Sequence, residues 1–151
     1  MRALLLLAVL AGCVDYAPDV GPLNSDIDVD GGVVVSPSCK IEDSDPMVTV
    51  SFVRDVRPLL LRSPDGCMGC HGNGRAVSGL DLGSYASLRR GGMISGTRVI
   101  VDSDPCSSIL PAKISPTPPF GSRMPFNGPP YFTKAEVQLV RDWVAEGANN
   151  N

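Results

Sequence analysis

The chain has one histidine, one tryptophan and only 5% aromatic residues. A single histidine, His71, rules out a multi-histidine metal centre and leaves the serines and cysteines with little choice of partner base. No acid, base and nucleophile group together, so the sequence does not read as an enzyme. CxxC occurs once, which falls short of the four ligands of a structural zinc site. No apolar run approaches the ~20 residues of a membrane-spanning helix. Sustained strand-type alternation is missing too, and the basic residues are spread rather than clustered, which argues against a nucleic-acid surface.

What the chain does have is turn-forming residues, 16 Gly and 14 Pro among 151. Apolar residues make up 43%, enough for one small core. A domain of this kind usually needs a staple: a disulfide, a metal or a cofactor.

The first residues read as a targeting segment. Met1-Arg2 gives a short positive start, Ala3 to Ala11 is apolar, and Leu10-Ala11-Gly12-Cys13 follows. That last string resembles the lipobox of bacterial lipoproteins. The resemblance implies a signal peptide over 1–12, lipidation of Cys13, and export to a periplasmic or cell-surface position on a lipid anchor in the membrane. Val14 after the cysteine favours the outer membrane by analogy. Residues 13–46 then read as the lipidated cysteine and an acidic tether. From Asp15 to Asp45 eight acids face Lys40 alone, a composition that self-repels and extends. Asp26, Asp28, Asp30 and Gly31 have part of a calcium-loop pattern but lack its bidentate glutamate, so a solvated linker is the reading.

Residues 47–151 form the domain. The charge balance reverses there, with eleven Arg and Lys against eight acids. Four helical pieces are expected. Asp55 would cap the first, with Pro58 in its opening turn and Val56, Leu59 and Leu60 as its stripe. Ser84 would start a second, Tyr85 to Arg90, closed by Gly91-Gly92. Asp104-Pro105 would open a third through Leu110. The capping box Thr133-x-x-Glu136 would begin the last, with Val137, Val140 and Val144 as its stripe and Gly147 as its stop. The class is mainly α, with long loops.

The string Cys67-Met68-Gly69-Cys70-His71 carries the chemistry. Two thiols separated by two residues can each add to a haem vinyl group, and the adjoining histidine can then reach the iron. A zinc half-site and a thioredoxin-like pair compete; the former lacks partner ligands and the latter an α/β setting. A thioether is the common second ligand opposite histidine. Met124, in the Pro-rich loop before the last helix, is preferred, and Met93 is the alternative. Met68 is tied to the attachment loop and Met47 stands at the very start of the domain, before its first helix.

Residues 50 to 148 resemble a class I type cytochrome c domain, in particular the cytochrome c-like modules of myxobacterial and planctomycete exported proteins. The resembling pieces are Phe52 to Pro58, Cys67 to Gly72, Gly79 to Leu82, Asp104-Pro105, Ser108 to Leu110, Arg123 to Pro125 and Glu136 to Trp143. The resemblance implies a cytochrome c fold of short helices wrapped around one covalent haem c, with the first and last helices crossing. It implies thioethers at Cys67 and Cys70, iron ligation by His71 and Met124, and electron exchange with redox partner proteins. Cys106 departs from that pattern. In an oxidising compartment Cys106 and Cys39 are the remaining pair, read as a disulfide that pins the tether, with two separate thiols as the alternative. Arg123 could pair with a haem propionate or stand as a solvated loop residue. Two other functions stay open: five-coordinate iron that binds a small ligand or peroxide, and a non-catalytic interaction module of a surface complex.

Overall fold

In the computed structural model, residues 39–62 and 66–151 are described; Cys13 and the Asp26 to Asp30 run lie outside them. The described residues hold helices and turns with no strand, which makes the fold mainly α. A π-helical turn, Phe52–Val56, runs into α1, Arg57–Leu61; α2 is Met68–His71, α3 Tyr85–Arg90, α4 Ile109–Ile114 and α5 Lys134–Ala145. Two 3-10 turns, Val77–Gly79 and Gly96–Val99, lie between α2 and α4.

The first helical stretch starts earlier than the sequence suggested. Ser51 is its cap: the hydroxyl accepts the Arg54 amide at 3.1 Å, while the Ser51 amide donates to the Asp55 carboxylate at 2.8 Å. Asp55 therefore serves the cap from inside the helix instead of being it, and Pro58 falls in the first turn of α1, where its missing N–H costs nothing. The third expected helix is also displaced. Asp104 accepts the amides of Cys106 and Ser107 at 3.1 and 3.0 Å, an Asx-type turn that ends locally, and α4 starts afresh after Ser108. The other two expectations hold. Ser84 and Ser87 form a reciprocal box at α3, as Thr133 and Glu136 do at α5.

Packing ties the ends of this chain of helices together. Val56 and Leu60 from the first stretch, Leu88 from α3, Ile114 from α4, and Val140, Trp143 and Val144 from α5 are all sealed from solvent. Phe52 meets Trp143 at 5.4 Å and Tyr85 edge-on at 5.2 Å between ring centroids. The polar tips of these rings are used as well: Tyr85 donates to the Ala148 carbonyl at 2.8 Å and Trp143 to that of Asn149 at 2.9 Å. Asn151 completes the contact, its carbonyl accepting from the Ser51 hydroxyl at 2.6 Å and the Val53 amide at 3.0 Å.

The end of the acidic segment is fixed to this core. Cys39 and Cys106 form a disulfide across 67 residues of sequence. Ser44 donates its amide and hydroxyl to Asp142 at 2.9 and 2.6 Å, and the Val50 amide reaches the Glu146 carboxylate at 2.9 Å. Asp142 of α5 and Glu146 just after it thus take up backbone donors from residues 44–50.

Candidate functional site

Helix α2 is a single turn, and the CxxCH string occupies it. The Cys67 carbonyl accepts the amides of Cys70 and His71 at 3.2 and 2.8 Å, and the Cys67 amide anchors the turn to the Leu60 carbonyl of α1 at 3.1 Å. Residues three and four apart share a helix face, so the spacing puts Cys70 and His71 on the side of Cys67. The Met68 side chain folds over Gly72: a Cβ there would lie 2.0 Å from the Met68 methyl carbon and 2.6 Å from its sulfur. A larger residue at 72 would push the end of the Met68 side chain aside.

The His71 ring is oriented by the next stretch of chain. Its Nδ1 lies 3.2 Å from the Leu80 carbonyl, and its own carbonyl accepts the Leu82 amide at 2.7 Å. A carbonyl can only accept, so Nδ1 carries the proton and Nε2 keeps its lone pair. Burial pushes the imidazole below its ordinary value and the Lys113 charge acts the same way, against the carbonyls of Leu80 and Val77. The neutral ring, the form that binds a metal, is thereby favoured.

The two sulfurs of the string differ. Cys67 is a free, buried thiol pushed up to about 11, first by burial, with the nearby Arg62 charge opposing. Cys70 is disulfide-bonded in this structure.

Among the methionines, Met47 and Met93 stand out in solvent at 90% and 84% exposure. Met68 and Met124 pack against the core. Met124 lies in the loop from 115 to 132 and is held at its amide, which donates to the Lys113 carbonyl at 2.8 Å. Lys113 thus acts electrostatically on His71 and holds Met124 by its main chain, and it links these two sequence-identified residues.

Arg123 is not the free, solvated loop residue of one expectation. Its Nε donates to the Ile114 carbonyl at 3.1 Å and its guanidinium to the Phe132 carbonyl at 2.8 Å, with the Tyr131 ring 4.4 Å away. It bridges the two ends of the Met124 loop. Nothing in the sequence marked Lys113 for a comparable task, since a lone lysine at the end of a short helix has many possible uses.

No group of three or more His, Cys, Asp or Glu side chains able to hold a metal ion occurs among the described residues. No helix among them is long and apolar enough to cross a membrane. No family model, curated protein or solved structure matches the chain.

Proposed function

We propose that the chain is an exported, lipid-anchored c-type cytochrome that carries one electron on a single covalently held haem. The observation that supports this reading most directly is the α2 turn. By helical spacing Cys67, Cys70 and His71 share one face, and the Leu80 carbonyl holds the imidazole by Nδ1 so that Nε2 is left for iron. A ligating histidine commonly donates its other ring nitrogen in this way, which fixes tautomer and orientation.

The residues present fit such a group. Cys67 and Cys70 would hold the porphyrin as thioethers, and His71 and Met124 would be the residues that bind its iron. When bound, the haem supplies a metal that changes charge by one electron without exchanging ligands. The protein's share is orientation and exclusion of water. Leu80 and Leu82 pin His71, Cys67 is embedded in the apolar core, and the Lys113 main chain sets the start of Met124. Soluble or membrane-bound redox proteins would deliver and remove the electron. Cys70, disulfide-bonded in this structure, would hold the porphyrin only in its reduced form.

The test is expression in an exporting host with haem-attachment machinery. The expected product is coloured, carries one porphyrin mass increment that resists denaturation, and loses it on joint replacement of Cys67 and Cys70 by Ala. In the oxidised form a far-red sulfur-to-iron band should be present, and Met124→Ala should abolish it. Colourless protein of unmodified mass would overturn the proposal.

A further inference from the structure

The loop that carries Met124 has little regular structure of its own. Residues 115–132 contain six prolines and no helix or strand. A loop of this length would sample many conformations, and a thioether on it would be a weak, intermittent ligand. Yet five hydrogen bonds made by Lys113 and Arg123 hold it in place. Lys113, on the last turn of α4, donates its ammonium to the carbonyls of Phe120 and Ser122 at 2.7 and 2.6 Å, with the Phe120 ring 4.6 Å from Nζ. Its own carbonyl takes the Met124 amide at 2.8 Å. Arg123 closes the loop from the inside by its donations to Ile114 before it and Phe132 after it.

The chemistry of Lys113 is unusual for a surface lysine. It is half withdrawn from solvent, and burial pushes its pKa below the ordinary lysine value. Among the described residues it has no carboxylate partner; its positive charge is met by two neutral backbone oxygens and the face of the Phe120 ring. Hydrogen bonds from a charged donor are about twice as strong as neutral ones. Two of them, two and four residues from Met124, constrain the path by which the sulfur is presented.

We propose that Lys113 is a positioning residue for Met124: its ammonium, together with the Arg123 bridge, holds the loop in the arrangement that keeps the thioether on the iron. The inference rests on the haem reading above and adds to it the device that makes a loop methionine a lasting ligand. Lys113 touches neither the iron nor the porphyrin in this proposal. It acts through the loop.

The experiment is competition by imidazole for the Met124 position in the oxidised haem protein, followed by the change in its absorption spectrum. Exogenous imidazole binds only when the sulfur leaves, so its apparent affinity measures how firmly Met124 is held. Lys113→Met keeps the stem length and removes the charge. It should tighten apparent imidazole binding by roughly 10- to 100-fold, the value of a charged hydrogen bond left unmade. In a Met124→Ala background, where nothing competes, the same substitution should leave imidazole affinity unchanged. Should Lys113→Met fail to accumulate as folded haem protein, Arg123→Met is read in the same cycle, with the same expectation.

Wild-type affinity in the Lys113→Met protein would overturn the proposal. So would tightening of equal size with and without Met124, because the effect would then not pass through the sulfur. Failure of the parent reading looks different: Met124→Ala alone would leave imidazole affinity as in the wild type.

Discussion

Consider the protein with Cys39 and Cys106 both replaced by Ser, which opens the bridge and leaves no unpaired thiol behind. The bridge spans 67 residues. In the chain-entropy view, a closed loop of that length restricts the unfolded ensemble by about 4 kcal/mol at room temperature. The folded state has independent reasons to stay as it is. Ser44 still has both of its bonds to Asp142, and Val50 still has Glu146. Almost all of the loss should therefore come from a freer unfolded chain. With an unfolding entropy near 2.1 cal/mol/K per residue and a domain of roughly 110 residues, 4 kcal/mol corresponds to a fall in Tm of about 15–20 °C. Denaturant and thermal unfolding followed by far-ultraviolet circular dichroism give the loss, and amide exchange at Ser44 reports whether the native contact survives. A loss below about 1 kcal/mol would refute the reasoning. A full loss accompanied by free exchange at Ser44 would refute it as well, since the native state would then have changed.

Three further outcomes follow from the packing and the charges. Phe52→Ala empties the place where the first helical stretch meets Tyr85 and Trp143, and should cost about 3–5 kcal/mol by denaturant titration. Thr133→Ala removes the side-chain acceptor for the Glu136 amide and should cost ~1 kcal/mol in the same assay. Glu146 is held above its ordinary value of 4.5, first by burial and then by the charges of Asp43, Asp142 and Asp55, against the Val50 amide. A raised carboxyl stabilises the fold when protonated, an advantage complete below the ordinary value and lost as pH rises through the folded one. Glu146→Gln should accordingly be more stable than the parent at neutral pH, with the difference vanishing in acid; a constant difference across the range would sink this account.

The parts of the fold that could be read in advance are those whose signals are local. Ser84 with Ser87, and Thr133 with Glu136, sit three apart and satisfy each other, so the sequence spacing alone marks α3 and α5. The first helix and α4 were less legible because Asp55 and Asp104 are residues with two uses. Asp55 turns back to the Ser51 amide, and Asp104 closes a turn that does not propagate. Of the site, α2 could be read as a motif, since all its residues lie within one turn. The disulfide could be read because the remaining cysteines were few. The hold on His71 by Leu80, and on the Met124 loop by Lys113 and Arg123, could not, because each is made to a backbone carbonyl. Every residue offers a carbonyl, so the sequence does not distinguish which one is used.

The covalent bond at Cys39 also decides how the domain bears load. A pull applied on the amino side of that residue enters the molecule at the 104–107 turn and at α5, through Cys106 and Asp142. Tension entering by that route is therefore borne by a covalent bond and by the longest helix among the described residues.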